Sequence, residues 1–153
     1  MIAVDTNLLV YAHRQDSAHH EAARTALESL AARTATWAIP WPAVHEFLAV
    51  ITHPRIYVPP TPIEQALEAV RALGGADNVT FIGETPHHLE IVEGLMRESG
   101  VRGVKVQDAR IAAICIGNGI KELWTADRDF SWFPELHTHN PLTHNPSTAR
   151  ENR

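Results

Sequence analysis

Residues 1–10 read MIAVDTNLLV, and the role given to Asp5 decides what kind of fold this chain adopts. Ile2, Ala3 and Val4 have the character of a short buried strand, and Leu8, Leu9 and Val10 resume the apolar run. A lone ionised carboxylate in such surroundings is costly unless something pairs with it. Asp5 therefore either caps the helical turn that follows or ends a strand and faces a cation. The second reading requires a parallel sheet, because ligands of such sheets sit beyond the carboxyl ends of the strands.

Outward from Asp5, strand-like and helix-like segments alternate. Strands are expected at 2–5, 36–39, 79–82 and 121–126, with a weaker fifth at 136–141. An early helical turn is expected over 7–11. A helix over 18–32 has Ser17 as its cap and Ala22, Ala23, Ala26, Leu27 and Leu30 facing inward. The next helix has Pro42 in its first turn and ends before Pro54. A helix over 62–73 stops at Gly74-Gly75, one over 86–99 closes at Gly100, and one over 106–116 closes at Gly117-Asn118-Gly119. Strands separated by helices imply an α/β fold, a mostly parallel sheet of about five strands with helices on both faces. No repeat or linker divides the chain. One domain is expected over 1–141, with a polar tail over 142–153 that is expected to be disordered.

Composition excludes several classes. At 153 residues the chain can bury a real core without staples, and its single cysteine, Cys115, rules out an internal disulfide framework. With no basic leader before the short apolar start, and no apolar run near the ~18 residues of a membrane span, a cytoplasmic protein is expected. The net charge of −5 argues against holding nucleic acid by bulk charge, though not against an enzyme whose own site is acidic.

Four further acids bear on Asp5. Asp127 and Asp129 follow the fourth strand in TADRDF (125–130), also at a carboxyl edge. Glu46 lies in AVHEFLAVI (43–51), where Val44, Phe47, Leu48 and Ile51 share one helical face and place Glu46 at its margin. Asp108 opens QDARIAAICI (107–116), one turn before Ile111 and Ala112. Each has an ordinary explanation: a cap for Asp5, the helix macrodipole for Asp108, an arginine partner for Glu46, loop acids for Asp127 and Asp129. Their convergence on one sheet edge favours a shared cation, since clustered carboxylates repel. Oxygen ligands without cysteine select Mg²⁺, or Mn²⁺ in its place.

VDTN (4–7), HEFL (45–48), QDARIAA (107–113) and TADRDF, in this order and spacing, resemble the PIN domain, and more narrowly the VapC toxins of bacterial type II toxin–antitoxin pairs. The resemblance extends over about 1–141. It implies a PIN-like three-layer α/β/α sandwich and a metal-dependent endoribonuclease that leaves 3′-hydroxyl and 5′-phosphate ends. It also implies a homodimer and inhibition by a cognate antitoxin. By motif match Asp5, Glu46, Asp108 and Asp127 take the family's acidic quartet, Asp129 is an alternate or fifth ligand, and Thr6, Asn7 and Thr125 border the site. One or two ions would be held chiefly by Asp5 and Asp108, with Glu46 or Asp127 accepting a proton from water. The RNA, whether transfer, ribosomal or messenger, is not named by these residues. Nor does the segment THPRIYVPPTP (52–62) acquire a role from them.

Among the basic residues, Arg14, Arg55, Arg110 and Arg128 are candidate phosphate contacts, each equally well read as solvated surface. The histidines, with His45 and His53 two turns apart on one helix and His19-His20 and His87-His88 adjacent, do not converge as a zinc site requires. A haloacid-dehalogenase-type phosphatase would need a second aspartate where Asn7 stands. Two alternatives remain beside the ribonuclease: a DNA nuclease of the same fold, and a non-catalytic module whose acids hold a structural ion.

Overall fold

The computed structural model describes residues 1–143, and a five-stranded sheet lies at its centre. The strands are β1 (Ile2–Val4), β2 (Trp37–Pro40), β3 (Val79–Ile82), β4 (Glu122–Trp124) and β5 (His137–His139). Their spatial order is β3-β2-β1-β4-β5, and every pairing is parallel. Ile2 stands opposite Trp37 on one side and Glu122 on the other, so β1 is the central strand. Successive strands step outward from β1 through β2 to β3, and the chain then crosses to the other side for β4 and β5. The carboxyl end of β1 is therefore the switch point of the sheet, where a crevice opens between diverging connections.

Among the described residues six α-helices complete an α/β/α sandwich: α1 (Thr6–His13), α2 (His20–Ala31), α3 (Trp41–Ile51), α4 (Ile63–Gly74), α5 (His88–Ser99) and α6 (Val106–Gly117). α1 packs on α2 and α3, α3 packs on α4, and α5 packs on α6. Ala3, Val4, Ala38, Ile39 and Leu123 are fully enclosed between the helical layers. That burial explains why the inner strands read as continuous apolar runs rather than alternating ones. α6 is almost wholly internal, with Ala109 and Ile111 to Cys115 all buried. Its one carboxylate, Asp108, stands in the first turn, at the edge of the core.

The expected elements are present, with differences at their ends. β1 stops at Val4 because Asp5 turns the chain into α1 as its N-cap, with its side chain accepting from the Thr6 amide. The expected turn is consequently a helix of 8 residues. α2 begins at His20 rather than 18; Ser17 Oγ instead accepts the His19 amide at 3.1 Å, closing the turn before the helix. Its inward stripe is Ala23, Ala26 and Leu30, while Ala22 is exposed, rotated off that face by the helical pitch. α3 ends at Ile51, so His53 lies beyond it and does not share a helix side with His45. α5 starts at His88, two residues past Pro86. Gly100 ends α5 as expected, at φ 72°, with its amide bonded to Met96 O at 2.8 Å. β4 is shorter than 121–126, and all three residues of β5 are exposed, which is why its sequence signal is weak. The tail expectation lies, from residue 144, outside the described residues. Among the described residues no helix is long and apolar enough to cross a membrane.

Candidate active site

Asp5 retains only 6 % of its surface exposed at the end of β1. Its Oδ1 accepts the Thr6 amide at 2.8 Å and its Oδ2 accepts the Thr125 hydroxyl at 2.8 Å. No cationic side chain pairs with it among the described residues. Burial pushes its carboxyl up from 3.8 to about 6; the bonds from Thr125 and Thr6 pull it down, while the nearby charges of Glu46 and Asp127 push it up again. The helix-cap reading is thus realised, and each oxygen spends one lone pair on a bond and keeps another for a further partner.

The residues bordering Asp5 tie the other acids to it. The Thr125 hydroxyl accepts from Asn7 Nδ2 at 3.2 Å and from the Asp127 amide at 3.0 Å, and Asn7 Oδ1 accepts the Ala126 amide at 3.2 Å. The Thr6 hydroxyl donates to Glu46 Oε2 at 3.0 Å, across 40 residues of sequence. Asp127 Oδ1 accepts the Asp129 amide at 2.8 Å and so caps the short 3-10 turn Arg128–Trp132. This network fixes the carboxylates before any ligand arrives.

Asp108 completes the constellation from the start of α6. Its carboxyl is raised from 3.8 to about 6, first by burial and then by the charges of Asp127, Asp129 and Glu46, with Lys105 opposing. One carboxylate oxygen from each of Asp108, Asp127 and Asp129 lies within 4.8 Å of the others. Asp129 also sits 3.6 Å from Lys105 Nζ, and the ammonium in turn lies 5.4 Å from the centroid of the Trp132 ring.

A cleft of about 710 Å³ opens over this centre, and Asp5, Glu46, Asp108 and Asp127 all line it. Asp129 stands beside it without lining it. Of the arginines proposed as phosphate contacts, only Arg110 reaches the cleft, held by Glu84 through bonds of 2.9 and 2.6 Å. Arg14 is turned away, bonded to Asp16 at 2.9 and 2.6 Å and to Thr61 at 3.2 Å. Arg55 and Arg128 are exposed and line no part of the cleft. Sequence reasoning missed Tyr11, Tyr57 and Gln107 in the cleft wall. The only signal for Tyr57 was an aromatic residue inside the proline-rich segment 52–62.

The donors fit a small divalent cation. They are hard carboxylate oxygens on a pre-formed frame, and they include a buried acid that no side chain among the described residues neutralises. A parallel sheet with acids gathered at its switch point defines the class, and residues 2–136 match the PIN domain. The chain belongs to the PIN domain family, within its branch of VapC ribonucleases. VapC ribonuclease Mb2897 of Mycobacterium bovis is 33% identical over 142 residues, which span 93% of this chain and 96% of that protein. The fold is shared with VapBC2 of Rickettsia felis, solved bound to a DNA fragment from its promoter (TM-score 0.66, 21% identity, 92% of this chain and 98% of that one). It is shared too with VapC20 of Mycobacterium tuberculosis, a toxin that cleaves the sarcin–ricin loop (TM-score 0.64, 18% identity, 86% and 93%).

Proposed function

We propose that this chain is a metal-dependent endoribonuclease, the toxin of a type II toxin–antitoxin pair. The observation that carries the reading is the buried Asp5, which no cationic side chain among the described residues pairs with, joined to Glu46 and Asp127 by a hydrogen-bond frame and sharing one cleft with Asp108. Asp5 and Asp108 are the principal ligands of Mg²⁺, for which Mn²⁺ can substitute. Glu46, Asp127 and Asp129 complete the set. When bound, the ion supplies positive charge to the scissile phosphate and lowers the pKa of the attacking water.

The remaining steps belong to this chain's own side chains. Glu46, oriented by the Thr6 hydroxyl, accepts a proton from the attacking water. The water oxygen bonds to phosphorus in line, the bond to the 3′ oxygen breaks, and that oxygen takes a proton from solvent. The products are a 3′-hydroxyl and a 5′-phosphate. Arg110, pinned by Glu84, presents its guanidinium to a non-bridging phosphate oxygen. Asn7 and Thr125 hold Asp5 and the Asp127 turn in register.

The ribonuclease activity named for the relatives, and the VapBC complexes among the structural neighbours, support an RNA substrate and a cognate antitoxin partner. The working form is a cytoplasmic homodimer of the 1–141 domain, with 142–153 as an appended tail. The test is expression of the chain alone in a bacterium. Growth arrests, and Asp5→Ala or Asp108→Ala relieves the arrest at equal soluble protein. Purified wild type cleaves RNA in a chelator-sensitive manner and leaves single-stranded DNA intact. Undiminished arrest by both variants refutes the site, and preferential cleavage of DNA refutes the substrate.

A further inference from the structure

We propose that Tyr57 is a stacking platform for an unpaired base of the substrate. The proposal deepens the ribonuclease reading above and rests on it. Segment 52–62 leaves the end of α3 and returns to it: the amides of Ile56 and Tyr57 bond His53 O at 3.2 and 3.1 Å, and the Thr61 amide bonds Ile51 O at 2.8 Å. This closed excursion brings one aromatic residue, Tyr57, to the cleft wall, beside Tyr11 and Val50. The Arg14 guanidinium lies over the ring, 4.4 Å from its centroid. Arg14 is itself fixed by Asp16 and Thr61, and it lines a separate recess with Pro59 and Pro60 rather than the cleft.

A cation that does not line the cleft thus lies over the ring of a residue that does. One cleft thus joins a carboxylate centre suited to a phosphate and its cation with an aromatic side chain. A ligand matching both carries a phosphodiester and a planar base. In a duplex each base face is already covered by its neighbours, so only an unpaired base can lie on the tyrosine. Every base has a π face, so this contact selects strandedness and not sequence. The same contact holds substrate equally in the ground and transition states, so its loss raises KM and spares kcat.

The test is steady-state cleavage by the full chain of a 5′-labelled pool of random-sequence single-stranded RNA, and of the same pool annealed to its complement. Tyr57→Leu keeps apolar packing in the loop and removes the ring; it is expected to raise KM roughly tenfold or more with kcat little changed. Tyr57→Phe keeps the ring and is expected to match wild type, and wild type is expected to cleave the duplex pool at least roughly tenfold less efficiently. Unchanged KM in Tyr57→Leu, or equal impairment in Tyr57→Phe, overturns the stacking role. Equal cleavage of duplex and single strand by wild type overturns it without recourse to any variant, should Tyr57→Leu fail to fold. If wild type cleaves neither pool, the ribonuclease reading fails first and the inference falls with it.

Discussion

Asp108→Asn is expected to make the metal-free protein more stable, not less. The substitution keeps the side-chain shape at the first turn of α6 and removes one charge from the cluster with Asp127, Asp129 and Glu46. The carboxyl's displacement from 3.8 to about 6 corresponds in full to about 3 kcal/mol at neutral pH. Asp108 is only half-buried, and water screens this to roughly 1–2 kcal/mol. Losing a negative charge near a helix N-terminus gives back up to about 0.5 kcal/mol, for a net gain of about 1 kcal/mol. In a domain of this size that is roughly 2–4 °C in Tm. Thermal melting at neutral pH in chelator reads it directly, and the same melts with Mg²⁺ or Mn²⁺ supply the second arm. Saturating metal should raise the wild-type midpoint appreciably, since a ligand at a hundred times its Kd contributes about 2.7 kcal/mol. The variant should gain far less. If Asp108→Asn melts lower than wild type in chelator and still gains as much from metal, Asp108 is only a helix-end acid and the reasoning fails.

Asp5 adds a pH dependence: its folded pKa of about 6 lies above the unfolded 3.8, so the native state binds the extra proton. Stability in chelator should therefore rise as pH falls from about 7 through 6 and stop gaining near 4, by up to about 3 kcal/mol for this buried group; urea titrations giving a flat profile would count against the assignment. In the complex, an antitoxin arginine or lysine that enters the acidic cleft should matter most, its change to alanine weakening inhibition of RNA cleavage more than changes at the interface rim. Equal losses everywhere would mean that the antitoxin blocks access by bulk. Away from the site, Asn78 donates to the carbonyls of Leu30, Arg33 and Ala35 and accepts from the Trp37 indole. Asn78→Ala should cost about 2–3 kcal/mol in denaturant melts while leaving the metal-induced rise in midpoint intact.

What was legible in the sequence followed from periodicity and punctuation. The β3 segment at 79–82 and the closure of α5 at Gly100 coincide with expectation because a run of four strand-formers and a left-handed glycine are local signals. The gathering of Asp5, Glu46, Asp108 and Asp127 was also legible, since parallel topology sends the strand ends to one edge. What was not legible depends on distant partners. Nothing near Glu46 announces that the Thr6 hydroxyl will orient it, nor does Asn7 reveal that it bonds Thr125 and Ala126. Arg14, a candidate phosphate contact by sequence, bonds Asp16 and stacks on Tyr57 and does not line the cleft. Helix starts differ for a related reason: the sequence pattern places helix beginnings at Ser17 and Pro86, whereas each belongs to a turn that precedes a helix.

The burial of Asp5 sets function against stability at a single atom pair. Two well-formed hydrogen bonds reach its carboxylate, and they would suffice to hold an exposed acid ionised. Here desolvation outweighs them and leaves the carboxyl near 6, so it takes up a proton more readily than an exposed acid does. The remaining lone pairs therefore want either a proton or a cation, and near neutral pH the two compete for the same site. An asparagine in this place would lose the conflict but also the ligand, and its amide would meet a Thr125 hydroxyl that already accepts from Asn7 and Asp127. The surrounding donors are thus matched by a carboxylate, whose free lone pairs take a proton or a cation. On the proposed reading a strand of three apolar residues can end in such a group because cation binding would recover the cost, and the same cost would make the metal-free centre attractive to a basic side chain from a partner.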